Sequence, residues 1–187
     1  MLPSKFPHLK NLEIVLHRAA IPFPPSRDIF SLVSFLAASP VLESFILQMK
    51  SLSIEEGASR PDLVSGDDSE YSRRKPEYRH DRLRQVLITG FYPSNSLVEL
   101  TIHILESAAS LESLTVDTIY FSNRRLGTIG RCPASTKNGQ CWAMSKTNVA
   151  GAHRAVEVAG RCIVWRVPKH VQFKVLEPCS RCHSIDQ

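Results

Sequence analysis

The chain has 187 residues, a formal net charge of +5 and a pI near 9.1, with 43% hydrophobic and 22% charged residues. That length suits one domain with a real core and not two, and no apolar run approaches the roughly 20 residues that a helical membrane span needs. The start, "MLPSKFPHLK", has no apolar signal-peptide core, and five cysteines without a secretory signal read as reduced thiols, so cytoplasm or nucleus is the expected location.

The first element is a strand. "HLKNLEIVL" supplies Leu9-x-x-Leu12-x-Ile14, whose last two positions alternate as one buried strand face requires. "SRDIFSLVSFLAASP" follows with Ile29, Leu32, Val33 and Leu36 at helical spacing, Ser26 or Asp28 as cap and Pro40 as stop. "VLESFILQM" repeats the strand frame as Leu42-x-x-Phe45-x-Leu47.

Residues 53–81 break the rhythm. They hold almost no apolar side chains, with an acidic half before a basic one, and are expected to form a disordered surface loop. The frame then returns in "RLRQVLITG" as Leu83-x-x-Val86-x-Ile88. "SLVELTIHILESAAS" reads as a helix with a capping box, Ser96-x-x-Glu99, and Leu97, Leu100, Ile104 and Ala108 on one face. That box overrides a strand reading of Leu97-x-x-Leu100-x-Ile102. "SLESLTVDT" gives the fourth frame, Leu111-x-x-Leu114-x-Val116.

A second long polar loop, 120–142, contains Gly127 and Gly130 but no phosphate-binding fingerprint. From Ser145 a third helical stripe runs through Val149, Ala152, Val156 and Ala159. A last strand, "VQFKVLEP", turns Val171, Phe173 and Val175 inward.

Strand and helix alternate, and the leucine frame itself recurs. Each unit is too small to bury its apolar face alone, so neighbours must stack. The expected fold is an α/β leucine-rich-repeat solenoid, a horseshoe segment with parallel strands on the concave face and helices on the convex face. It forms a single domain over 1–187, interrupted at 53–81 and 120–142. A doubly wound or closed α/β domain uses the same alternation and is the competing architecture.

The tail, "LEPCSRCH", has the letters of a haem attachment site, Cys179-x-x-Cys182-His183. Haem attachment conflicts with the reducing compartment. Zinc is the stronger alternative, because Cys132, Cys141, Cys179 and Cys182 make a Cys₄ set with His183 as a substitute. The Cys132-x₈-Cys141 spacing matches no known knuckle, and the simplest role for the tail cysteines is packing. No cofactor is expected.

Catalytic patterns are missing from the sequence: there is no nucleophile elbow and no paired-carboxylate motif, and His103 reads as a partly buried helix residue. Trp142 and Trp165 read as core or cap residues. The basic clusters Arg73-Arg74-Lys75 and Arg124-Arg125 lie on loops without the regular aromatic interleaving of a single-strand binder, so nucleic acid is not the expected partner. No membrane partner and no small-molecule substrate is indicated, and the chain is not expected to be an enzyme.

The stretch "LRQVLITGFYPSNSLVELTIHILESAASLESLTVDT", with "FPHLKNLEI", "FLAASPVLESF" and "VLEPCSRCH", resembles the C-terminal region of plant F-box/leucine-rich-repeat proteins, including those with an FBD-type segment. The resemblance implies a target-binding module of a ubiquitin-ligase receptor. It departs from the family in showing no F-box, so the chain is expected to be a fragment or a truncated relative, docking on a cullin-ligase adaptor only where an upstream F-box exists. The residues expected to face a protein target are the outward ones of each frame: Asn11, Glu13, Ser44, Ile46, Gln48, Gln85, Leu87, Thr89, Ser113, Thr115 and Asp117.

Overall fold

The computed structural model describes residues 6–18, 29–51, 78–119 and 144–179. Its elements in chain order are β1 (Asn11–Arg18), a 3-10 turn (Ile29–Leu32) running into α1 (Val33–Ala37), β2 (Ser44–Ser51), β3 (Gln85–Thr89), α2 (Asn95–Ser107), β4 (Ser113–Asp117), α3 (Lys146–Cys162), a 3-10 turn (Val164–Arg166) and β5 (Gln172–Leu176).

The five strands form one parallel sheet in the order β1-β2-β3-β4-β5. Strand order equals sequence order, so no reversal creates the crevice of a doubly wound sheet. That alternative is discarded. Register is equally plain: Leu12, Phe45, Val86, Leu114 and Phe173 stand side by side, and so do Ile14, Leu47, Ile88, Val116 and Val175. Equivalent positions of the leucine frame thus lie in the same row. This is an α/β, leucine-rich-repeat type of arrangement.

Those two rows face the core. Phe45, Leu47, Ile88, Leu114 and Val116 are completely buried, and Leu12, Ile14, Phe173 and Val175 pack against them from the outer strands. The leading leucines Leu42, Leu83 and Leu111 are buried just before their strands. From the helices, Leu36, Leu97, Leu100, Ile104, Ala155 and Ala159 join the same cluster, so the helical layer covers this one side of the sheet. Burying a leucine or phenylalanine side chain contributes about 1.5–3 kcal/mol, which makes the shared core the main stabilising term.

Several sequence expectations shift in detail. The first helix is short, a 3-10 turn followed by one turn and a half of α-helix, and it ends at Ala37, ahead of Pro40. Its suggested caps, Ser26 and Asp28, lie outside the described residues. Helix α2 begins at Asn95 after Ser94, so Ser96 sits inside the first turn and does not cap it. Leu97, Leu100, Ile104 and Ala108 are buried as expected, yet so are Val98, Thr101, Ile102, His103 and Leu105. The reason is packing on more than one side, because the Ile29–Leu32 turn also lies against α2. A helix buried nearly all round is hydrophobic nearly all round.

Helix α3 starts as expected: Ser145 is its N-cap and its Oγ accepts from the Asn148 N–H at 3.2 Å. Val149, Ala152 and Ala159 are buried, whereas Val156 is only half-buried and Ala155, Val158 and Cys162 complete the stripe.

The expected loop 53–81 lies outside the described residues up to 77. Its last residues do not belong to a disordered loop: His80 is buried, and its N–H donates to the Ser107 carbonyl at the end of α2 at 2.8 Å. Ser110 Oγ adds a bond to the Asp81 carbonyl at 2.7 Å. The loop 120–142 also lies outside the described residues.

After β3 the chain turns sharply into the α2 connection. Gly90 adopts φ +69°, its N–H donates to the Ile119 carbonyl at 3.1 Å, and the Phe91 N–H donates to the Asp117 carbonyl at 2.9 Å. A side chain at position 90 would collide with the Met49 carbonyl of β2, so only glycine fits.

Candidate partner-binding face

A strand sends alternate side chains to opposite faces, so a sheet covered by helices on one side offers the other to a partner. Register arranges the outer face in three rows. The first is Asn11, Ser44, Gln85, Ser113 and Gln172; the second is Glu13, Ile46, Leu87, Thr115 and Lys174; the third is Val15, Gln48, Thr89, Asp117 and Leu176. All the residues expected from the sequence to face a target therefore lie on one face.

They are not equally accessible. Gln85 is exposed, and Ile46, Leu87, Gln48, Ser113 and Thr115 are partly so. Thr89 and Asp117, by contrast, are each 2% exposed. Each is the last residue of its strand, and Asp117 Oδ1 accepts from the Ile119 N–H at 3.0 Å. Asp117 shapes the backbone there and is corrected from a contact residue to a structural one. Thr89 is likewise covered.

Ile46 and Leu87 are direct neighbours on adjacent strands, an apolar pair in the middle of the second row. Polar groups border them: Gln48 donates to the Glu13 carboxylate across the β1–β2 pair, and Lys174 ends the row. Sequence reasoning missed Val15, which is 42% exposed on β1, and the β5 residues Gln172, Lys174 and Leu176. The signal was present, because extending the period-2 alternation one step along "LEIVL" and through "VQFKVL" reaches all four.

The strand entrances carry a further pattern. Lys10, Glu43, Arg84 and Glu112 precede β1 to β4 at equivalent positions and alternate in sign. Lys10 Nζ lies 3.1 Å from Glu43 and Arg84 3.5 Å from Glu112. Glu43 and Arg84 line a polar hollow with Asp81 and Arg82. The carbonyls of Lys10, Glu43 and Arg84 each accept two N–H groups from the next strand's start, which extends the ladder one step beyond the strands. Opposite charges on adjacent strands favour this register over a slipped one.

The other candidates fall elsewhere. His103 is buried in α2, and burial lowers its pKa; His80 is lowered too, first by burial and then by the neighbouring His103, with Asp81 opposing. Trp165 is neither core nor cap, being 65% exposed; Trp142 lies outside the described residues. Cys179 is buried, as is Cys162. The other proposed zinc ligands, Cys132, Cys141, Cys182 and His183, lie outside the described residues, and among the described residues no group of three metal-ligating side chains comes together. No described helix is long and apolar enough to cross a membrane.

The family model for the At1g61320/AtMIF1 leucine-rich-repeat domain matches residues 1–180. No curated protein and no solved structure matches the chain. With repeats in register along a parallel sheet and a family match over nearly its whole length, the chain belongs to the At1g61320/AtMIF1 leucine-rich-repeat domain family.

Proposed function

We propose that this chain is a protein-binding module whose outer sheet face holds a target, as the recognition portion of an F-box-type ubiquitin-ligase receptor. The repeats stack as a horseshoe segment, with the strands concave and the helices convex. The chain makes and breaks no bond; catalysis belongs to other subunits, in cytoplasm or nucleus. A cullin-ligase adaptor joins only where an F-box accompanies these repeats.

The observation that carries the proposal is the second outer row. Ile46 and Leu87 form an apolar pair on the side of the sheet opposite the described helices, framed by Glu13, Gln48, Thr115 and Lys174. Interfaces draw most of their affinity from a few such anchors inside a polar rim. Sequence similarity to F-box/leucine-rich-repeat proteins supports the ubiquitin connection.

A photo-crosslinking amino acid at position 87, compared with one at the exposed helix position Glu157, tests the face. Crosslinks confined to position 87, and lost with Ile46→Asp, support it. Equal yields from both positions, or normal target capture by Leu87→Asp in a folded protein, refute the assignment.

A further inference from the structure

Charge is unevenly distributed over the outer face of the sheet. Among its described side chains four ionise: Glu13, Lys50, Asp117 and Lys174. Asp117 is buried, and Lys50 lies two rows beyond Ile46, roughly 13 Å further along β2. Glu13 and Lys174 remain, both exposed and both in the second row, at its opposite ends. Gln48 bonds to the Glu13 carboxylate but is neutral, so the negative charge is kept. Lys174 has no ionic partner among the described residues.

The second row is therefore an ordered series: carboxylate, isoleucine, leucine, threonine, ammonium. Its four strand steps of about 4.8 Å span roughly 19 Å. An extended chain rises about 3.3 Å per residue and repeats its facing every second residue, so residues i and i+6 stand roughly 20 Å apart on one side. Residue i+2, about 6.6 Å along, falls between Ile46 and Leu87, which lie about 4.8 and 9.6 Å from Glu13 across the strands.

An extended chain lying across the strands with these side chains toward the sheet directs its N–H and C=O groups sideways. On one side they meet the first row, Asn11, Ser44, Gln85, Ser113 and Gln172. These side chains are uncharged, carry donors and acceptors alike, and make no hydrogen bond to a described residue. A helix bonds its own backbone and would leave that row without partners.

We propose that the outer face takes an extended polypeptide segment lying across the strands, with a basic side chain at Glu13, an apolar one between Ile46 and Leu87, and an acidic one at Lys174. The required spacing is i, i+2 and i+6. This rests on the reading that the face binds a protein target.

The probe is the fluorescein-labelled peptide Lys-Ser-Leu-Ser-Ser-Ser-Glu, titrated with the full chain and followed by anisotropy. Its control is Glu-Ser-Leu-Ser-Ser-Ser-Lys, which has the wrong charges in one chain direction and a misplaced leucine in the other. The first peptide should bind about tenfold more tightly, since both end charges turn from attractive to repulsive, and the preference should shrink in high salt. The double variant Glu13→Lys/Lys174→Glu, exposed at both positions, should keep its melting curve and invert the preference. Gln85→Ala/Gln172→Ala should weaken the first peptide about fivefold or more.

Equal binding of the two peptides, no binding of either, or a preference that the double variant fails to invert overturns the proposal. So does tighter binding of an alanine-rich helical peptide with its lysine and glutamate twelve residues apart, or self-association of the chain abolished by Leu87→Asp. Where target crosslinks stay confined to position 87 while the peptides fail, the occupant is wrong and the face is right. Loss of those crosslinks removes both.

Discussion

Gly90→Ala should be among the most damaging single-methyl additions in this chain. Gly90 sits at φ +69°, a conformation that costs an L-residue about 1–2 kcal/mol. The new Cβ would stand 3.1 Å from the Met49 carbonyl carbon and 3.3 Å from the Met49 Cβ, with the carbonyl oxygen closer still. These atoms belong mostly to the backbone of β2, which is paired on both sides and has no rotamer to swing away. Overpacking of that kind costs about 1–3 kcal/mol. Against this, alanine removes about 0.4–1 kcal/mol of unfolded-state entropy. The net loss is roughly 2–4 kcal/mol, which for a chain of this size lowers the melting temperature by roughly 5–15 °C.

Urea unfolding followed by circular dichroism measures it directly, with unchanged slope showing that stability alone moved. Gly160→Ala is the matched control, since nothing stands within 4 Å of its Cβ and it lies within α3. That substitution should stabilise by about 0.5–1 kcal/mol. If Gly90→Ala cost less than about 1 kcal/mol, or if both substitutions moved stability the same way, the tight β3–α2 turn would be wrong.

Three other outcomes test the packing. Leu114→Ala, on the buried row, should cost about 2–5 kcal/mol, whereas Leu87→Ala on the outer face should cost well under half as much; equal losses in chemical unfolding would mean the two faces are misassigned. His80 and His103 have folded-state pKa values below their ordinary value, so above pH 6.5 both states are neutral and no stability is lost. As pH falls through 6.5 the unfolded chain takes up protons first, stability drops, and a His80→Gln/His103→Gln pair should flatten the decline in melting scans. The exposed Arg84–Glu112 pair should matter little: Arg84→Gln ought to cost less than about 1 kcal/mol, and less still in high salt, as thermal melts can read.

The repeating frame made the fold legible. Leu12, Phe45, Val86 and Leu114 stand at the same frame position in sequence and in the same row of the sheet, because a side-chain period of two and a shared core admit one register. The Ser145 cap was legible for an equally local reason, since it acts on an N–H three residues away. By contrast, the Ser96 box was misread. The same letters serve at an N-cap and inside a first turn, and only the buried Ser94 before Asn95 decides where α2 begins.

The candidate site divides along the same line. Which side chains point away from the core follows from alternation, so the sequence by itself placed Ile46 and Leu87 on the outer face. Alternation carries no information about depth. Thr89 and Asp117 lie on that outer face by alternation and are nonetheless each 2% exposed. The alternating charges at the strand entrances, His80 against the end of α2, and the Arg166–Glu106 pair come from chain segments that meet only in three dimensions. Glu106 and Arg166 are sixty residues apart along the chain. Local pattern determined the strands, the repeat and the facing of each side chain; packing between distant segments decided which of those side chains water, or a partner, can reach.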